Sequence, residues 1–84
     1  MQPLPDDDFL RETVLKAKKH LGQKIRNLRK DRDWTQEDFA RVCGISATRL
    51  GRAERGQADL GLETLIVIAK KFETTLAELL TNID

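Results

Sequence analysis

The chain has 84 residues, 39% hydrophobic and 35% charged, with a formal net charge of +1. This is the size of one small domain, which buries only about 60–65% of its unfolded surface. A single cysteine rules out an internal disulfide and favours a reducing compartment. No apolar run approaches the roughly 20 residues that span a bilayer. The acidic opening MQPLPDDDFL lacks the basic-then-apolar order of a secretion signal. The near-neutral total hides an uneven distribution. Residues 21–55 carry nine basic and five acidic side chains, whereas residues 56–84 carry two and five. Such a basic segment fits either a face for an anionic polymer or an ordinary solvated surface.

Pro3 and Pro5 favour an extended start, and Asp6 suits the N-cap of a first helix. The run Asp6-Asp7-Asp8 then complements the positive end of the helix dipole, a plainer reading than an acidic interaction tail. Leu10, Val14, Ala17, Leu21, Ile25 and Leu28 follow at steps of four, three, four, four and three, which puts them on one helical face. Gly22 is the natural place for a break, since glycine costs about 1 kcal/mol inside a helix. One continuous or slightly bent helix is nevertheless expected. No β-branched alternation suggests a strand, so the fold class is all-α.

Thr35 is the N-cap of a second helix, Gln36 to about Cys43, with Asp38 at N3. Trp34 and Phe39 flank that cap at the spacing of a hydrophobic staple, and this role is preferred to base stacking for Trp34. Gly44 ends the helix at the position where a left-handed residue is wanted. Ser46 caps a third helix from Ala47 to about Arg55, stopped by Gly56. A fourth runs from Leu62 to about Phe72. Thr74 or Thr75 caps a short fifth helix carrying Leu76, Leu79, Leu80 and Ile83.

Two short helices joined by a tight glycine turn form the helix-turn-helix unit, whose second helix enters the major groove of DNA. Ala40 is small enough for close approach, while Ile45, Leu50 and Ala53 face inward. Ala47, Thr48, Gly51 and Arg52 then face outward, with Arg49 and Arg55 at the flank. The stretch from Ile25 to Gly56, followed by Leu62 to Leu80, resembles the phage-repressor and Cro type of helix-turn-helix domain. The elements that carry the likeness are Thr35-Gln36, Ala40, Gly44-Ile45-Ser46, Glu54-Arg55-Gly56 and Leu62-Glu63-Thr64-Leu65, and it covers roughly residues 19–82.

The resemblance implies a compact five-helix, lambda-repressor-like bundle that binds double-stranded, pseudo-palindromic DNA as a homodimer. It implies a transcriptional regulator, with repression as the preferred sense. Ala47, Thr48, Gly51 and Arg52 would lie at bases, Gln36, Ser46, Arg49 and Arg55 at phosphates, and Arg29 with Glu54 would form a structural salt bridge. The short Ala47 and Gly51, and a Gln57-Ala58-Asp59 loop without basic residues, are departures from the pattern. They point to partial reading of DNA shape and modest backbone affinity. Residues 1–18 lie outside the resemblance and read as a helical packing or partner surface; residues 19–84 form the DNA-binding domain.

A second reading is an antitoxin-like interaction module whose DNA binding serves autoregulation. It draws on the N-terminal extension and the apolar Leu76, Leu79, Leu80, Ile83 edge. Of these two regions, the C-terminal helix is the first choice for a dimer contact. No acid–base pair or phosphate loop suggests an enzyme. No cofactor is implied. One histidine (His20, expected at solvent) and one cysteine (Cys43, expected in the core) cannot close a four-ligand zinc site. The basic side chains of the first helix (Lys24, Arg26, Lys30) are expected at solvent. A cytoplasmic protein on a bacterial or phage nucleoid, with no membrane contact, is the expected setting.

Overall fold

The computed structural model describes residues 2–4 and 7–83. It contains five helices: α1 (Asp7–Lys30), α2 (Gln36–Cys43), α3 (Ala47–Glu54), α4 (Leu62–Lys71) and α5 (Leu76–Leu80). No strand occurs among the described residues. α1 opens on Asp7 and Asp8 and closes on Arg29 and Lys30, charges that oppose its dipole at both ends. The expected Asp6 cap lies outside the described residues.

Each helix sends one fully enclosed large side chain into a common core: Ile25, Phe39, Leu50, Ile68 and Leu79. At about 1.5–3 kcal/mol for each buried side chain of this kind, they supply much of the drive for packing. The staple between Trp34 and Phe39 forms, with ring centroids 5.4 Å apart. It extends to Phe72, 4.7 Å from Phe39 and 5.9 Å from Trp34. The Arg32 guanidinium covers this stack, 5.2 Å from the Phe72 ring and 5.7 Å from Trp34.

Gly22 does not break α1. It is buried where the end of α3 crosses, and a Cβ there would meet the carbonyl oxygens of Ala53 and Glu54, the latter at 2.6 Å. Because those obstacles are backbone, nothing flexible can give way. Helix propensity alone would make Gly22→Ala stabilising by about 1 kcal/mol. The crossing reverses the sign, and a loss of about 3 kcal/mol is expected from the urea midpoint. A gain would mean that α1 and α3 do not touch there.

The C-terminal ends share one solution. After α2, Gly44 N–H donates to Arg41 O and Ile45 N–H to Ala40 O, with Gly44 at φ 76°. The same pair of bonds, with its left-handed residue, closes α1 at Asp33, α3 at Gly56 and α4 at Glu73. These stops fix where each helix turns away, and the one at Gly44 aims α3.

Two expectations are corrected. Leu10 and Val14 continue the apolar stripe of α1 but stand exposed, because the body of the bundle ends near Ala17. Lys24 is not a solvent side chain. Its ammonium donates to the carbonyls of Glu78 (2.6 Å) and Thr81 (3.0 Å), capping the end of α5. His20, although exposed, is also engaged, with Nδ1 2.7 Å from the Ile83 carbonyl oxygen.

Candidate nucleic-acid interface

The α2–turn–α3 unit is built by its caps. Thr35 Oγ1 accepts from Asp38 N–H (3.1 Å) and Ser46 Oγ from Arg49 N–H (3.0 Å), so both helices start sharply. Leu50, Ala53 and Glu54 anchor α3 inward. That leaves Thr48, Arg49 and Arg52, together with the C-cap residue Arg55, on the exposed side, and Ala47 half-buried.

Beneath α3, Arg29 and Glu54 form a two-pronged ion pair, Nε to Oε2 at 2.7 Å and Nη2 to Oε1 at 3.0 Å. Their side chains are only 8% and 2% exposed. The Glu54 bond holds the Arg29 guanidinium above its ordinary basicity, outweighing the opposite effect of burial. Arg29 Nη1 also donates to Trp34 O (2.7 Å), and Gln36 Nε2 donates to Glu54 Oε1 (3.0 Å). One buried carboxylate therefore ties α1, the α2 cap and α3 together, and it fixes the side chain of Gln36.

An open hollow of about 310 Å³ lies between the starts of α2 and α3, lined by Gln36, Glu37, Ala47, Thr48, Gly51 and Arg55. Five of the eight expected DNA-contact residues are gathered there. Arg52, Arg49 and Ser46 lie outside it. Gly51 differs from its expected outward position: it is buried, with Arg55 Nη1 and Gln36 Oε1 3.3 and 3.4 Å from where a Cβ would stand. Glu37 was missed. Its only signal is its place after Gln36 in the first turn of α2, a position usually explained by the helix dipole.

The three exposed guanidinia rest on the α3–α4 loop through long contacts. Arg52 Nη2 lies 3.4 Å from Gln57 O, Arg55 Nε 3.2 Å from Gln57 Oε1, and Arg49 Nη2 3.5 Å from Asp59 O. Hydrogen bonds this long are weak, so these groups turn outward at little cost.

Cys43 is buried in the core, and burial pushes its thiol pKa up, the opposite of what a reactive thiolate needs. Among the described residues, no three His, Cys, Asp or Glu side chains come together as a metal site. None of their helices is long and apolar enough to cross a membrane.

The chain belongs to the helix-turn-helix family, whose model matches residues 25–79. It is 32% identical over 79 residues to the control protein C.SmaI of Serratia marcescens, a match covering 94% of this chain and 90% of that one. It is 37% identical over 59 residues to the antitoxin PezA of Streptococcus pneumoniae. That match covers 70% of this chain but only 37% of PezA. Among solved structures, the restriction-modification controller protein C.AhdI of Aeromonas hydrophila superposes with a TM-score of 0.69 at 30% identity. The superposition covers 73% of this chain and 92% of that one. The protein is thus a DNA-binding transcriptional regulator on a five-helix scaffold of this family.

Proposed function

We propose that the protein binds a pseudo-palindromic duplex as a homodimer and represses transcription by occupying it. The observation that carries this reading is the exposed side of α3, where Thr48, Arg49 and Arg52 stand beside a hollow framed by Gln36 and Arg55. Arg52 suits a bidentate pair with guanine, and Thr48 offers a methyl to thymine or a hydroxyl to several bases. Ala47 is short enough to leave the hollow open to a base edge or sugar, while Gly51, beneath the Gln36 and Arg55 side chains, has no side chain to read with. Part of the preference therefore comes from DNA shape. Gln36, Ser46, Arg49 and Arg55 take phosphates, which set register.

The two α3 helices enter successive major grooves, with half-site centres about 10 base pairs apart. Residues 19–84 form the DNA-binding domain, and residues 1–18 extend it. The protein works on the nucleoid in the cytoplasm, as a binding protein rather than an enzyme, and calls on no cofactor. Contacts to about six to eight phosphates per dimer give a log–log salt slope of roughly −5 to −7. Fluorescence anisotropy of a labelled duplex, titrated with protein across a range of salt, measures it. A slope near zero contradicts the phosphate assignments.

The similarity to PezA favours a second reading, in which the chain also holds a protein partner and its DNA binding regulates its own synthesis. A pull-down that recovers no stoichiometric partner would count against it.

A further inference from the structure

We infer that Glu37 is an electrostatic brake on DNA binding. Its carboxylate faces the phosphate that Gln36 and Arg55 approach, and it weakens the hold on every duplex alike. The inference rests on the phosphate contacts proposed above and names a side chain that opposes them.

Glu37 lines the open hollow between the starts of α2 and α3, together with Gln36 and Arg55. It is exposed, and among the described residues its carboxylate makes no hydrogen bond or ion pair. Its acidic neighbours, by contrast, are engaged. Asp38 pairs with Arg41 at 2.9 Å, and Glu54 is held by Arg29 and Gln36. Glu37 is the weakest of the influences on the buried Arg29, whose charge Glu54 already meets. Nor is Glu37 the only support for the start of α2, where the Thr35 cap and Asp38 also stand.

Position selects phosphate over base. In this unit the first helix crosses the DNA backbone, and the second carries the base-reading side chains. Glu37 belongs to the first turn of α2, directly after Gln36. Arg55 is the only cation among the residues that line the hollow, so its formal charge sums to zero. Arg55 also spends Nε on Gln57 Oε1, at 3.2 Å. A phosphate drawn in by this guanidinium therefore meets a like charge at close range. The loss is independent of sequence, because every duplex carries the same phosphates. It also shortens residence on unrelated duplex, which in a genome outnumbers the preferred site by orders of magnitude.

Fluorescence anisotropy of the full chain tests this on two labelled duplexes, one of mixed sequence and one the inverted repeat recovered from a random library. Glu37→Gln removes the charge and keeps the length. It is expected to tighten both complexes about fivefold per chain bound at about 0.1 M salt, and to steepen the log–log salt slope by about 1 per chain. Glu37→Asp keeps the charge and stays within about twofold of the wild type. Glu78→Gln is the matched control, since it loses the same charge from the first turn of α5, which packs against α1 and α4. It is expected to change neither affinity by more than about twofold. Both positions are exposed, and the urea midpoint shows that each variant is folded.

If the wild type shows a steep slope and Glu37→Gln behaves as Glu78→Gln does, the carboxylate lies away from the phosphates and only this inference falls. If Glu37→Gln weakens the inverted repeat alone, Glu37 accepts from a base amino group, which overturns the brake. A wild-type slope near zero overturns the phosphate contacts and this inference together.

Discussion

Glu54→Ala is expected to destabilise the fold by about 3–5 kcal/mol, the largest effect of any single truncation at the helix crossing. The carboxylate accepts from Arg29 Nε, Arg29 Nη2 and Gln36 Nε2, and its side chain is 2% exposed. Removing it leaves a buried guanidinium with only the Trp34 carbonyl for company. Domains of this size are stable by only about 4–13 kcal/mol, so the variant unfolds at low urea or near room temperature. The urea midpoint, with the slope unchanged, reports the loss. Glu54→Gln keeps an acceptor and the shape, so its loss is smaller. A double replacement by apolar residues, Arg29→Met with Glu54→Leu, recovers much of the stability because no charge is then stranded. If Glu54→Ala costs less than 1 kcal/mol, the pair is not buried in solution.

Arg52→Ala is expected to cost about 1–3 kcal/mol per half-site against the preferred duplex, and to flatten base preference at the position it reads. Arg49→Ala should weaken all sequences alike and reduce the salt slope by about 1 per chain. The contrast follows from placement. Both arginines are exposed, but Arg52 lies a full turn further along α3, whereas Arg49 sits in the first turn, one residue after Thr48. Competition binding against a panel of single-base variants separates the two roles. If Arg52→Ala weakens every duplex evenly, it contacts phosphate, and the base reading falls to Thr48 and to DNA shape.

Much of the fold was legible because its signals are local. Thr35, Asp38, Gly44 and Ser46 act within one helical turn, so sequence spacing alone places the α2 and α3 starts and the turn between them. The same holds for the Trp34–Phe39 staple, although its continuation through Phe72 to Arg32 joins residues far apart in the chain. Gly22 was not legible in this way. Propensity marks it as a weak point of a helix, while its actual reason, the backbone of α3 passing overhead, belongs to tertiary structure.

The apolar stripe of α1 shows a similar limit. Periodicity identifies a face that wants cover, yet it cannot say that the bundle covers Leu21 and Ile25 but not Leu10 and Val14. At the interface, helical phase brings out Thr48, Arg49 and Arg52 correctly. It fails at Gly51, which has no side chain and is overlaid by its neighbours Gln36 and Arg55. Glu37 escaped for the converse reason: an acidic residue in the first turn of a helix has an ordinary explanation, and only the shape of the hollow draws it to the site.

Selection of the purified protein on a random duplex library, at near-physiological salt, tests the central claim most directly. The account predicts an enriched inverted repeat with half-site centres about 10 base pairs apart and a guanine within reach of Arg52 in each half. Folded protein that retains no sequence over any other would contradict it.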